Sequence, residues 1–212
     1  MKLTRRQTLL SGAALPLAAT APSIAAADGH AAALPTHRDF TLGDFKVTTL
    51  LAGSRSVGDP QTIFGMNVDA ETFSDVSAAN FIPDDVAQFF FTPTVVNTGE
   101  EVILFDTGLN PGGTGAALNA AGYTPADITH VVITHMHGDH IGGLADESGA
   151  ETFTNAAYLT GQVEFDHWAG AENDNFEAKV RPLAEKFTFL GDGDEAESRL
   201  IDNIGDSRFR GV

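Results

Sequence analysis

The stretch Thr129-His130-Val131-Val132-Ile133-Thr134-His135-Met136-His137-Gly138-Asp139-His140 decides the fold of this 212-residue chain. Its first six residues are mostly β-branched, which predicts a buried strand. Four side chains that can bind metal follow that strand directly: His135, His137, Asp139 and His140. The sequence therefore predicts a loop of ligands at the carboxyl end of a strand, where sites in α/β sheets are commonly found.

The spacing within the loop suits metal binding. His135 and His137 lie two positions apart, so both imidazoles point to the same side of an extended segment. Gly138 permits a sharp turn that brings Asp139 and His140 back toward the same space. Because the chain has no cysteine, the metal must be held by nitrogen and oxygen ligands, which suit zinc and also iron, manganese or cobalt. The alternative is a polar turn with solvated histidines, which the preceding buried strand disfavours.

The segments before the loop predict a β-rich region. Residues 40–51 alternate around a turn at Gly43-Asp44, as in a hairpin. Residues 53–88 are irregular and predict a long loop with short helices near Asp69–Val76. Two further β-rich runs, Phe89–Asn97 and Val102–Phe105, are separated by a turn at residues 98–101. The second run is continuously apolar and ends at Asp106, a carboxylate that is costly there unless it is paired.

Helices are predicted on the carboxyl side of these strands. A glycine-rich loop at residues 112–115 leads into a helix at Ala116–Ala121. Residues 158–168 and 175–187 also predict helices, with a short strand ending at Leu190 as the alternative for the end of the second one.

The first residues predict export. A basic start with Arg5-Arg6, an apolar stretch and a small-residue cleavage site at Ala25–Ala27 predict a signal peptide of the twin-arginine type, with the ordinary secretory route left open. We therefore divide the chain into a signal peptide (residues 1–27), a flexible leader (28–37) and one domain (38–212). The mature protein is expected in the periplasm or outside the cell, with no stable membrane span.

The charge of the chain restricts its partners. The formal net charge is −17, and removal of residues 1–27 leaves 9 basic and 29 acidic residues, a net charge of −20. Such a surface repels phosphate backbones. We therefore expect a small-molecule substrate and no nucleic acid, and we allow for a homodimer.

The His-x-His-x-Asp-His motif after a buried strand resembles the metallo-β-lactamase superfamily, and so does Phe105-Asp106-Thr107-Gly108. The resemblance covers roughly residues 38–195. It implies an α/β fold, an α+β sandwich of four layers in the order αββα. Residues 42–45, 122–125 and 133–144 look most like methyl parathion hydrolase and related lactonases.

The resemblance also implies roles for residues. Two divalent metal ions, most simply zinc, would be bound, one by His135 and His137 and the other by Asp139 and His140. Asp139 would also be catalytic, and Asp106 would support the loop without binding metal. The implied activity is exported hydrolysis, in which a metal-bound hydroxide attacks an ester, a lactone or a phosphotriester-like substrate.

By the same likeness, Trp168 and the phenylalanines at 89–91, Phe89 foremost, would line a substrate pocket. The alternative for each is ordinary core packing.

Part of the family pattern has no match. A third histidine for the first metal, a bridging aspartate and a last histidine are expected beyond the loop, yet the only histidine after His140 is His167. Its pattern predicts a partly exposed helix histidine. We therefore expect the fold to be incomplete at the C-terminus and this chain to have little hydrolase activity. The alternative function is an inactive metal- or partner-binding member of the fold.

Overall fold

The computed structural model describes residues 35–191, so the predicted signal peptide, most of the leader and the segment after Gly191 lie outside it. The described strands are β1 His37–Leu42, β2 Phe45–Leu50, β3 Gly53–Gly58, β4 Val86–Phe91, β5 Thr94–Asn97, β6 Val102–Phe105, β7 His130–Ile133, β8 Ala157–Gly161 and β9 Phe187–Leu190. The described α-helices are α1 Ala70–Ala79, α2 Pro111–Ala120, α3 Gly138–Ile141, α4 Gln162–Gly170 and α5 Asp174–Lys179. Short 3₁₀ turns lie at Pro60–Thr62, Pro125–Asp127 and Arg181–Lys186.

A seven-stranded mixed sheet, in the order β1-β2-β5-β6-β7-β8-β9, organises these elements. Its first half is antiparallel, from β1 through β6. The predicted hairpin is confirmed, with Leu42 opposite Phe45. Gly43 in its turn has a φ of 59°, which glycine adopts without a steric penalty.

Residues 53–91, which we call the lobe, differ from their prediction. α1 confirms the helix near residues 69–76, and the Asp69 side chain caps it by accepting a hydrogen bond from the Thr72 amide at 2.7 Å. The predicted loop is wrong for β3, which pairs antiparallel with β4 in a two-stranded sheet. β3 has one large apolar residue, Val57, so no alternation marks it in the sequence. Its pairing with β4 is what makes it a strand.

The run predicted as one strand over residues 89–97 is two strands in two sheets. β4 ends at Phe91 in the small sheet, and β5 begins at Thr94 in the large one. Pro93 lies between them and has no N–H to donate to a ladder, so a continuous strand is interrupted at this point.

The glycine-rich segment at residues 112–115 belongs to α2, which corrects the predicted loop. Asn110 caps this helix by accepting a hydrogen bond from the Gly113 amide at 2.8 Å, and Pro111 occupies its first turn. A Cβ at Gly113 would lie 2.2 Å from the carbonyl oxygen of Ala52. Glycine is therefore needed here for close packing of the helix against a neighbouring segment.

The second half of the sheet is parallel, from β6 through β9. The predicted helix over residues 158–168 is wrong in its first part, because Tyr158, Leu159 and Thr160 are buried and pair with β7 as strand β8. The helix predicted over residues 175–187 divides into α5 and a 3₁₀ turn, and β9 confirms the alternative of a short final strand.

The core packs the large sheet against the helices that connect its parallel strands. Its fully buried large side chains include Leu50, Ile103, Leu104, Leu118, Ile128, Ile133, Met136, Ile141, Leu144, Phe153, Tyr158 and Phe176. β6 and β7 are adjacent and parallel, so the segments that follow Phe105 and Ile133 emerge at the same edge. None of the helices within residues 35–191 is long and apolar enough to span a bilayer.

Candidate metal centre

The loop that follows β7 brings three imidazoles together. The His135 and His137 ring centroids are 4.9 Å apart with the rings at 88°, and the His135 and His140 centroids are 3.7 Å apart. His137 is the N-cap of α3, so Gly138 opens one helical turn rather than a sharp bend. That turn carries His140 back over His135.

Asp139 and His140 are spaced as two ligands of one metal would be. Oδ2 of Asp139 lies 3.4 Å from Nε2 of His140. Metal–ligand bonds of about 2.0–2.1 Å in a tetrahedral zinc site place two ligand atoms about 3.3–3.4 Å apart. The pair therefore matches one edge of a tetrahedral site.

Asp106 joins the end of β6 to this loop. Its carboxylate accepts hydrogen bonds from the Thr134 amide at 2.9 Å and from the Thr134 hydroxyl at 2.8 Å. Its Oδ2 lies 2.8 Å from Nδ1 of His140. Asp106 has a φ of 59°, an uncommon conformation for a residue with a side chain and one that Asp tolerates better than most. A carboxylate that lies on a strained backbone and contacts a histidine is typical of metal sites.

Thr107 is a residue of the site that the sequence analysis did not single out. Its hydroxyl donates to the His140 carbonyl at 2.7 Å and accepts from the Gly143 amide at 3.1 Å, and it is fully buried. A Cβ at Gly143 would lie 2.1 Å from the Thr107 carbonyl oxygen. The Asp-Thr-Gly sequence after a buried strand was the available signal, because its threonine follows the carboxylate that was noticed.

The surroundings of His135 and His140 shift the pKa values of the two histidines in opposite directions. Burial, followed by the neighbouring imidazoles of His140 and His137, lowers the pKa of His135. The carboxylate of Asp106, 2.8 Å from Nδ1, raises the pKa of His140. His135 therefore favours the neutral form that ligation requires. Asp106 favours a proton on Nδ1 of His140, which leaves Nε2 facing Asp139.

Glu164, at the start of α4, is the second residue that the sequence analysis missed. Its Oε1 accepts hydrogen bonds from the Met136 amide at 2.8 Å and from Nε1 of Trp168 at 2.6 Å. Trp168 in turn lies edge-on to His137, with ring centroids 5.5 Å apart. Glu164 stands 28 residues from Met136, so no local pattern marks the contact.

An open cavity of about 130 Å³ adjoins the loop. It is lined by Phe90, Phe91, Thr92, Pro93, Asp106, Asp139 and His140. Phe90 and Phe91 belong to the phenylalanines at 89–91 that were predicted to line a substrate pocket, whereas Phe89 and Trp168 are not among the lining residues. Phe89 stacks instead against Phe64 and Phe91. His167 is exposed, as predicted.

The donors fit metal ions in pairs rather than as a closed cage. Within residues 35–191, no three histidine, aspartate or glutamate side chains form a group that could hold a metal ion by themselves. His135 with His137, and Asp139 with His140, each supply two donors of the type zinc accepts. Each pair would need further ligands, from water or from other residues. The assignment of the four residues to two metals stays a prediction.

A family model described as the metallo-beta-lactamase superfamily matches residues 92–203, more than half of the chain. The chain belongs to the metallo-beta-lactamase superfamily. The resemblance drawn from the loop is confirmed at this level, and the likeness to methyl parathion hydrolase stays a prediction.

Curated relatives match over a short part of their length. A probable metallo-hydrolase of Mycobacterium tuberculosis is 34% identical over a match that covers 32% of this chain and 30% of the relative. A metal-dependent hydrolase of Brucella canis is 41% identical over 29% of this chain and 27% of the relative.

Solved structures match more broadly. AidC, a dizinc quorum-quenching lactonase, aligns with a TM-score of 0.65 at 22% identity and covers 76% of this chain. AbOPH, a hydrolase of the beta-lactamase superfamily, aligns with a TM-score of 0.65 at 20% identity and covers 77%. The chain spans 63% and 64% of these two structures. At such identities the likeness concerns the fold, and it confirms the predicted mixed α/β fold of the superfamily.

Proposed function

We propose that this protein is a metal-dependent hydrolase of small ester-like substrates, with lactones as the first class to test. The observation that carries the proposal is the chain of contacts from Asp106 through His140 to Asp139, with separations of 2.8 Å and 3.4 Å. Membership of the superfamily supports it. The choice of lactones is supported by a fold neighbour that is named as a dizinc lactonase.

Two pairs of residues would hold metal ions. His135 and His137 would hold one ion, and Asp139 with His140 the other, with zinc suited to these donors. Divalent ions bound there supply Lewis-acid polarisation of the substrate and lower the pKa of water.

The residues of the chain itself would orient and confine the reaction. Asp106, whose Oδ2 lies 2.8 Å from Nδ1 of His140, would favour a proton on that nitrogen. Asp139, whose side chain is 39% exposed, reaches the cavity beside the loop and can accept a proton from water at a carboxylate oxygen. Phe90 and Phe91 form an apolar wall of that cavity, which suits the uncharged part of a small ester.

The charge of the protein favours neutral substrates. With a formal net charge of −17, its surface repels polyanions. Neutral lactones and esters are therefore preferred over phosphodiester polymers.

A second candidate is a non-catalytic metal-binding protein of the same fold. The observation that favours it is that no group of three ligands converges within the described residues. It predicts metal binding without turnover, in line with the low activity expected from the unmatched part of the family pattern.

One experiment separates the two candidates. The purified full chain is loaded with Zn²⁺, its bound metal is measured by elemental analysis, and hydrolysis of an N-acyl homoserine lactone and of a neutral phosphotriester is followed. The hydrolase proposal predicts zinc-dependent lactone turnover that is lost in Asp139→Asn and kept in Asp166→Asn, an exposed carboxylate of α4. Bound zinc with no turnover of either substrate would overturn it.

We also propose export to the periplasm or beyond, supported by residues 1–27. Cell fractionation with N-terminal sequencing tests this. A mature protein that starts near Asp28 is expected, and a cytoplasmic protein that retains Arg5-Arg6 would contradict it.

A further inference from the structure

We propose that Glu164 is a positioning residue for the metal loop, which comprises residues 135–140. It holds the peptide between His135 and His137 in place and steadies the His137 ring through Trp168. The proposal rests on the proposed function in one respect, that His137 binds metal.

The first argument is the double contact at one oxygen. Oε1 of Glu164 accepts the Met136 amide at 2.8 Å and the Trp168 indole N–H at 2.6 Å. Hydrogen bonds to a carboxylate are roughly twice as strong as those between neutral groups. The Met136 side chain is 1% exposed, so this residue is fixed by its side chain and its amide together.

The second argument is the position of Glu164 in the sheet. β6 and β8 are the two neighbours of β7. Asp106 follows β6 and accepts the Thr134 amide, whereas Glu164 lies in α4 directly after β8 and accepts the Met136 amide. The two carboxylates therefore hold amides on either side of His135, one from each neighbouring strand. The resemblance implies a supporting role for Asp106, and Glu164 would be its counterpart from the opposite side.

The third argument is the contact between Trp168 and His137. His137 is exposed, so few groups restrict its ring. Trp168 lies one helical turn after Glu164, on the same face of α4, and its ring meets that of His137 edge-on at 81°. With its N–H held by Glu164, the indole is a fixed wall for the imidazole.

Loss of the Glu164 acceptor should therefore affect two N–H donors, the Met136 amide and the Trp168 indole, and the His137 ring that Trp168 contacts. Glu164→Ala leaves the Met136 amide and the Trp168 indole without this acceptor. Glu164→Gln keeps a carbonyl oxygen that can accept the same bonds. Asp166→Asn, on the same helix, is the matched control, since Asp166 contacts Gln162 and not the loop.

The first measurement uses the metal-free full chain. The protein has one tryptophan, so its indole N–H gives a single resonance in a ¹H–¹⁵N spectrum. In Glu164→Ala, the indole and Met136 amide signals are expected to shift and exchange faster with solvent, and the His137 ring signals to shift with them. Glu164→Gln and Asp166→Asn should stay close to the wild type. Unchanged signals in Glu164→Ala would overturn the proposal.

The second measurement is zinc affinity by competition with a chelator. Supporting residues of this kind typically contribute about 10–100-fold to metal affinity, so a loss of that size is expected in Glu164→Ala, with most of the affinity retained in Glu164→Gln. An equal loss in both variants would overturn positioning through these two hydrogen bonds, because Glu164→Gln keeps an acceptor oxygen for both donors. If the wild type binds no zinc, the proposed function fails, while the metal-free spectra still decide the role of Glu164.

Circular dichroism checks that Glu164→Ala folds. If it does not, Trp168→Phe serves as the second variant, because it keeps a ring against His137 and removes the indole donor. A shift of the His137 ring signals with a smaller loss of zinc affinity is expected, and unchanged His137 signals would contradict the role of Trp168.

Discussion

The metal loop and the lobe differ in how closely their atoms are packed. At the loop, a Cβ on Gly142 would lie 2.2 Å from the Leu109 carbonyl oxygen, and one on Gly143 would lie 2.1 Å from that of Thr107. In the lobe, Phe81 is 96% exposed and Met66 is 74% exposed. The backbone at these two glycines has no room for a methyl group, whereas the lobe presents large apolar side chains to solvent.

The difference in packing suits the two regions to different kinds of binding. Close packing of the backbone directly after the loop restricts the segment that carries Asp139 and His140, which would lower the entropy cost of binding a metal there. The lobe instead has an apolar cavity of about 790 Å³ between its hairpin and α1. Exposed apolar surface of this kind is typical of regions that contact ligands or other proteins.

The largest expected effect comes from the core beneath the loop. Leu144 is fully buried, so Leu144→Ala should lower the free energy of unfolding by about 2–5 kcal/mol. Val76, in the lobe, is 58% exposed, so Val76→Ala should change it by no more than about 0.5 kcal/mol. Urea denaturation measures both. Equal losses would remove the contrast between the two regions.

A smaller effect is expected from the close contact at Gly143. Gly143→Ala should cost about 1–3 kcal/mol of unfolding free energy, because the new methyl group meets backbone atoms that cannot move away easily. The control is Gly115→Ala in α2, where nothing lies within 4 Å of the new atom. This change should be neutral or stabilise by up to about 1 kcal/mol. The same denaturation assay applies, and a neutral Gly143→Ala would show that the loop can relax.

Asp106→Asn tests whether the rigid loop serves metal binding. The asparagine cannot supply the negative charge beside Nδ1 of His140, so zinc affinity should fall about 10–100-fold. Asp44→Asn, in the exposed turn of the β1–β2 hairpin, is the control and should leave the affinity unchanged. Chelator competition measures both. Wild-type affinity in Asp106→Asn would argue against a supporting role for this carboxylate.

The smallest effect concerns the cap of α1 in the lobe. Hydrogen bonds from Thr72, the backbone amide first, lower the pKa of Asp69. A carboxylate with a lowered pKa in the folded state stabilises the helix above about pH 4, and the stabilisation is lost as the pH falls through the lower folded pKa. The protection of the α1 amides against hydrogen exchange, corrected for the intrinsic exchange rate at each pH, should therefore fall in acid.

Asp69→Asn should reduce that pH dependence, because asparagine keeps an acceptor and does not titrate in this range. Asp75→Asn, on the same helix, should exchange like the wild type. If the protection of the α1 amides depends on pH as strongly in Asp69→Asn as in the wild type, a group other than Asp69 controls the stability of α1 in acid.

Much of the local structure could be predicted from the sequence. The hairpin around Gly43, the buried strands β6 and β7 and the ligand loop are short-range patterns of apolar, β-branched and turn residues. β3 could not be predicted, since its residues have no alternation and depend on β4. The start of β8 was mistaken for helix, because a short apolar run fits either structure until its partner strand is known.

The residues of the candidate site also fall into those that the sequence predicted and those that it did not. Asp106 was found because a carboxylate at the end of a buried strand needs a partner. The contacts of Thr107 were not predicted although it lies in the Asp-Thr-Gly motif, and Glu164 was missed because no local pattern marks a glutamate whose partner amide is 28 residues away. Of the phenylalanines at 89–91, Phe90 and Phe91 line the cavity beside the loop, and the role of these residues and of Trp168 in binding a substrate stays a prediction.

By itself, the sequence determined the superfamily and the four candidate ligands, since His135, His137, Asp139 and His140 lie within six residues after a buried strand. Only the tertiary structure decided what holds that loop. The parallel order of β6, β7 and β8 brings Asp106 and Glu164 to either side of His135 from positions about 30 residues away along the chain. Contacts of that range depend on strand pairing and packing, which a local pattern of residues does not specify.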